Sequence, residues 1–216
     1  MICLTSRSSG EPAELIVEEL MTHYLRTDEV EEAISAIEMV AESVAGVKAD
    51  IYRWKWALIA LHSAVQGFMV LALRGSNGLA ALKDDVAAVW SHAYEKNLPL
   101  PEERLDSYEN LYKKAKGDRM MIYDHSKKFV PNGSQGGSIN KLKDLRDDFI
   151  HFVPKGWSLE VSGLPRIFAD CLDFIEFLGW ECGNVPWHEA AFESRAKVAI
   201  GSARAAIAEV KVLYGV

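Results

Sequence analysis

The stretch DIYRWKWALIALHSAVQGFMVLALR, residues 50–74, carries apolar side chains around most of a helical circumference. A helix that is apolar on nearly all sides is buried, at the centre of a bundle or in a bilayer. Its most apolar part, residues 56–73, approaches spanning length but has His62, Ser63 and Gln66 in its middle, which argues against a membrane span. The expectation is therefore the central helix of a bundle. Lys55, His62 and Gln66 fall within about 40° of one another, a narrow polar line on an apolar cylinder. Polar groups in such a place need partners or water. His62 and Gln66 are thus candidate accessory residues of a cleft, the alternative being that backbone satisfies them or that they lie on an exposed edge. Trp54, Trp56 and Phe68, at helical spacing, read as core.

The rest of the chain repeats the helical period, with no convincing alternation of strand type. Helices are expected at about 12–25, 28–46, 78–94, 103–116, 138–152, 163–181 and 187–212. Asp28 and Glu31 make a capping-box pattern before an apolar face of Ile34, Ile37, Val40 and Val44, and Gly46 closes it. The proline-bearing NLPLPEE separates two of the later helices, and VPNGSQGGS, 130–138, is the strongest loop signal. That loop lacks the Gly-Lys-Ser/Thr ending and the preceding apolar strand of a phosphate-cradling P-loop, so it reads as a linker. The fold class is all-α, a multi-helix bundle. It divides into an acidic N-terminal helical arm, 1–48, and a helical bundle, 49–216, with the Gly-rich loop at about 130–138.

At 216 residues, 49% apolar and 25% charged, the chain is long and apolar enough to build a substantial core. The net charge of −7 is uneven, since residues 1–50 hold eleven acids against three bases. Between Arg104 and Arg146 ten bases face five acids, a surface for a polyanion or simply a solvated face. Cys3, Cys171 and Cys182 have no metal-ligand spacing, and an odd number makes a disulfide framework improbable. No metal or cofactor is expected. With no apolar block of signal-peptide length in residues 1–20, the expected setting is a reducing cytoplasm.

The chemistry concentrates in KLKDLRDDFIHFVPKGW, 141–157. On a helical wheel Leu142, Leu145, Phe149 and Phe152 form one stripe, the expected buried face, and His151 lies about 140° from its centre. Asp147 precedes His151 by four residues, placed to orient the imidazole and favour its protonated form. Arg146 lies between the apolar stripe and the polar face. Cleavage of an RNA phosphodiester by its own 2′-hydroxyl needs proton transfer near neutral pH and charge stabilisation at phosphorus. Histidine supplies the first and a guanidinium fork the second. The plain alternative is a solvated histidine at a helix C-terminus, favoured by the dipole and by Asp147.

At RDDFIH, Arg146 to His151, the sequence resembles the HEPN superfamily, the higher-eukaryote and prokaryote nucleotide-binding domains. Many of these helical bundles are metal-independent RNases with an arginine, four to six residues, then a histidine, often with a polar residue after the arginine, here Asp147. The resemblance implies an up-and-down bundle with an additional N-terminal segment, working as a homodimer whose two motifs face one cleft. It implies that Arg146 binds the scissile phosphate, that His151 is the general acid or base, and that Asp147 is its polar partner. RMMIYDH, Arg119 to His125, also fits the arginine-to-histidine spacing, but Met120 stands where the polar residue would be. Two functions follow: a metal-independent endoribonuclease, or a non-catalytic helical dimer that binds a nucleotide, nucleic acid or protein partner. A protein regulator would be of unknown kind.

Overall fold

A computed structural model describes residues 24–154 and 156–216. Among them the secondary structure is seven α-helices with short 3-10 turns and no strand, an all-α bundle. The helix expected at 12–25 falls almost wholly outside the described residues, and residues 24–28 are not helical.

α1 (Glu29–Ala45) starts where Asp28 stops the preceding chain. The Asp28 carboxylate accepts the Val30 and Glu31 amides, each at 2.9 Å, satisfying two of the four donors a helix start leaves free. Glu31 takes no part in closing a capping box, because its carboxylate is engaged by Arg195 on the last helix. Ala33, Ile34, Ile37, Val40 and Val44 are fully buried. From residue 29 onward, therefore, the acidic segment is not an arm beside the bundle but part of its core.

α2 (Arg53–Leu73) is the central helix. It lies between α1 on one side and, on the other, α4 (Tyr108–Ala115), α5 (Gln135–Ile150) and α6 (Leu164–Glu176). It is long and apolar enough to cross a membrane, but 67% of its apolar window is buried inside the protein. α1 and α2 run antiparallel and approach tightly at Gly67, where a Cβ would lie 3.0 Å from the Ala33 Cα. Trp54 is buried and donates its indole N–H to the Tyr214 hydroxyl at 2.9 Å. Trp56, two residues on, points away from the core and is 54% exposed, which corrects its placement there. Two 100° steps carry it to the opposite side of the helix from Trp54, at the rim of an open groove beside α1.

α7 (Ala190–Tyr214) packs on α1 and α6. Arg195 clasps Glu31 and Glu38 with contacts of 3.0–3.1 Å, and Lys48 meets Glu209 at 2.6 Å, so α1 and α7 run parallel. α6 continues into one wide π turn, Phe177–Glu181, in which Gly179 admits Phe68: a Cβ there would sit 3.1 Å from its ring. Just beyond, the buried Asn184 amide donates to the carbonyls of Ala72 (3.0 Å) and Met120 (2.8 Å) and accepts the Ser126 hydroxyl. One side chain thereby satisfies backbone at the end of α2 and in the turn after α4.

α3 (Asp84–Glu95) belongs to an excursion, residues 82–105, that leaves and re-enters the bundle at one point. Its base is fastened by an antiparallel bridge between Leu82 and Leu105, by Lys83 N–H to Arg104 C=O (3.0 Å), and by Asp106 N–H to Ala81 C=O (3.1 Å). Beneath lies a buried ion pair, Lys114 Nζ to Asp106 Oδ2 at 2.8 Å, with the ammonium also donating to the Leu82 carbonyl. Asp106 further accepts from Asn110 at 2.8 Å, so both charges are satisfied by several groups.

α5 begins inside the expected loop, at Gln135, so Gly136, Gly137 and Ser138 are helical. Asp170 of α6 accepts both the Ser134 and the Ser138 hydroxyls, and the Gln135 side chain accepts the Asn132 amide. These tertiary tethers outweigh the poor helix propensity of two glycines.

Candidate functional site

The C-terminal half of α5 carries the residues singled out from sequence. Leu142 and Leu145 are buried and Phe149 is half-buried against Trp157. Phe152 is instead 57% exposed. The helix ends at Ile150, so the wheel that put Phe152 on the buried stripe no longer applies to it.

Arg146 Nη1 meets Asp147 Oδ1 at 2.8 Å, Asp147 Oδ2 meets Lys143 Nζ at 3.2 Å, and Lys143 Nζ reaches Glu109 Oε1 on α4 at 2.9 Å. Glu109 foremost, then Asp147, push the Lys143 ammonium up to about 12. Burial works against ionisation of Asp147, but the hydrogen bonds from Arg146 and Lys143 prevail and hold its carboxyl below its ordinary value. The chain of charges is two cations and two anions, balanced and linking two helices.

Asp147 therefore does not orient the His151 imidazole as the four-residue spacing suggested. Its carboxylate is taken by Arg146 and Lys143, and what joins it to His151 is backbone: the His151 N–H donates to the Asp147 carbonyl at 2.8 Å. His151 is the C-cap, with φ −99° and ψ 40°, so its side chain leaves the helix direction and stands exposed in solvent. Ile150, Phe152 and Val153 around it are 47%, 57% and 53% exposed.

Arg146 turns the other way. It lines a cleft of about 370 Å³ with Glu29 and Glu32 of α1, with His62, Ser63, Gln66, Gly67 and Val70 of α2, and with Leu105. The two accessory candidates and Arg146 thus share one cavity, and His151 is not among its walls. His62 is buried and stacked on Tyr108, ring centroids 4.3 Å apart and planes 19° from parallel. Burial first, and then the nearby Arg146 charge, lower its imidazole from 6.5 to about 4, so it is neutral at physiological pH. A larger cavity of about 870 Å³ shares the walls Glu29, Val70 and Leu105 and adds Arg74, Tyr123 and His188. Arg74 and Glu29 form an ion pair where the two cavities meet.

Sequence reading missed Ser63, Glu29, Glu32, Glu109 and Tyr108. Ser63 was legible as the neighbour of His62, whereas the glutamates are indistinguishable from a solvated acidic face until α1 is docked. Of the ten bases in segment 104–146, Arg104, Lys114, Arg119, Lys128, Lys143 and Arg146 pair with acids inside or beside the segment, while Lys113, Lys116, Lys127 and Lys141 stay exposed. The second arginine-to-histidine match is split between elements. Arg119 sits in a 3-10 turn against Asp84, and His125 Nε2 lies 2.9 Å from the Gly183 carbonyl. Among the described residues no cluster of three or more His, Cys, Asp or Glu side chains is placed to hold a metal ion, and Cys171 and Cys182 are buried free thiols. Compared with protein-family models, with curated proteins and with solved structures, the chain matches none.

Proposed function

We propose that this chain is a HEPN-like, metal-independent endoribonuclease that acts as a homodimer, in an up-and-down bundle of that type. The observation that carries the reading is the division of labour at the end of α5: Arg146 opens into a polar cleft, and His151 is exposed at the helix end. Arg146 holds the non-bridging oxygens of the scissile phosphate through the face of its guanidinium that Asp147 leaves free. His151 moves the proton. The 2′-oxygen forms its bond to phosphorus as a base takes its proton, the bond to the 5′-oxygen breaks, and an acid protonates that leaving oxygen, giving a 2′,3′-cyclic phosphate.

Arg146 lines the cleft and His151 is not among its walls, so one chain does not aim both at one phosphate. A second copy docked on the exposed Ile150, Phe152 and Val153 brings its His151 to the first copy's Arg146. This predicts complementation. Arg146→Ala and His151→Ala are each inactive alone on RNA in the presence of chelator. Mixed and re-equilibrated, they recover about one quarter of wild-type activity, because half the dimers are mixed and each has one intact site of two. A wild-type protein that leaves varied RNAs intact, or an active His151→Ala, refutes the reading.

A second reading, a non-catalytic dimer of the same fold that binds a nucleotide, nucleic acid or protein partner, is favoured by one observation. Asp147 neutralises Arg146 in a balanced chain of charges, leaving little net field for a polyanion. It predicts binding without cleavage, and for a protein partner an affinity that lacks the steep salt dependence of phosphate contacts.

A further inference from the structure

We infer that the cleft shared by His62, Ser63, Gln66 and Arg146 is a single-nucleobase recognition pocket, selective for a base bearing an amino group over uracil. The inference rests on the ribonuclease reading for Arg146, which would hold the phosphate attached to the recognised nucleotide. Four features of the cleft support it.

Its size comes first. About 370 Å³ lies at the lower end of the range for small-ligand sites, roughly 300–1,000 Å³, room for one nucleoside and not for a duplex. The second is the kind of polar group inside. The Gln66 amide offers two donors and an acceptor, the Ser63 hydroxyl, whose own proton goes to the Ile59 carbonyl at 3.2 Å, offers acceptor sites, and a neutral imidazole offers one of each. Such groups read a base edge, whereas a phosphate calls for cations, and among the described residues Arg146 is the one cation on these walls. The third is how His62 is held. It is packed face to face on the buried Tyr108, and Tyr108 in turn donates its hydroxyl to the Ile139 carbonyl of α5 at 3.4 Å. The ring is thus fixed before any ligand arrives, which spares a bound base the cost of ordering it. Among the described residues the His62 nitrogens make no hydrogen bond, although the ring lines the cleft.

The fourth feature sets the preference. Glu29 and Glu32 form the α1 wall, and carboxylates only accept hydrogen bonds. Glu29 is engaged by Arg74, and Glu32 Oε1 accepts the Thr27 hydroxyl at 3.0 Å, leaving Glu32 Oε2 for a ligand. A base with an exocyclic amino group meets that oxygen with a donor. Uracil, with carbonyl oxygens flanking its single N–H, meets it with repulsion on either side.

The test measures binding of the four nucleoside 3′-monophosphates, none of which has a phosphodiester to cleave, by calorimetry or NMR titration to the wild-type full chain. Guanosine, adenosine and cytidine monophosphates are expected to bind at least about tenfold more tightly than uridine monophosphate, the value of one hydrogen bond made rather than lost. Glu32→Gln should remove the discrimination against uridine. Gln66→Leu should weaken the amino-bearing ligands by about tenfold. Arg146→Ala should weaken all four alike. Equal binding of all four, or discrimination unchanged in Glu32→Gln and Gln66→Leu proteins with native circular dichroism, overturns the inference. Absence of RNA cleavage by the wild type alongside selective nucleotide binding would sink the ribonuclease reading and leave the pocket. Cleavage with no selective binding would do the reverse.

Discussion

Acidifying the protein should expose His62 as a stability element. Its imidazole is held neutral in the fold, at about 4 instead of 6.5, first by burial and then by Arg146, with Lys143 acting in the same sense and Asp147 and Glu109 opposing. A base lowered on folding is protonated more readily in the unfolded chain. Stability is therefore fully present above 6.5, declines as the pH falls from 6.5 towards 4, and loses nothing more from this group below that. The 2.5-unit difference corresponds to about 3 kcal/mol. His62→Phe keeps a flat ring on Tyr108 and removes the titration. Urea denaturation of both proteins at a series of pH values between 7 and 4 isolates the effect, since every other titrating group is common to them. At a slope of about 2 kcal/mol per molar urea, the wild-type midpoint should fall about 1.5 M further than that of the variant across the window. Parallel pH profiles would show that His62 is solvated in the native protein, and the account of a fixed neutral ring would fail.

The buried pair at the foot of the 82–105 excursion makes a second prediction. Lys114→Met leaves Asp106 charged among buried groups and should cost about 3–5 kcal/mol, while Lys114→Met with Asp106→Leu should recover most of that loss in thermal denaturation. At the α1–α2 contact, Gly67→Val pushes a side chain into Ala33 at 3.0 Å and should destabilise by about 2 kcal/mol, with Gly67→Ala milder, as read from denaturant midpoints.

The central helix was legible because its apolar residues cover nearly the whole circumference, a pattern no exposed helix carries. The start of α1 was legible too, since Asp28 caps through atoms two and three residues away. What could not be read depends on distant partners. Gly136 and Gly137 look like a loop until Asp170 holds the serines on either side of them. Asp147 looks like the partner of His151 until Lys143, anchored by Glu109 on another helix, competes for its second oxygen. Trp56 sits at the open rim of a groove beside α1, and Phe152 lies where the helix has ended. The grouping of His62 and Gln66 with Arg146 was raised by the polar line on the central helix, and it took the docking of α5 against α2 to form the cleft.

The parallel pairing of α1 with α7 has a consequence for how the protein is made. Glu31 and Arg195 are separated by 164 residues, and α7 packs along α1. At ribosomal rates of about 5–20 residues per second, the side of α1 that α7 covers waits on the order of ten to thirty seconds for its mate to be synthesised. Contacts this distant in sequence also close slowly once the chain is free. Glu31 and Glu38, which Arg195 later clasps, keep that side of the waiting helix charged and hydrated. An interval in which a nascent apolar flank is open to chaperones is therefore built into the order of the helices.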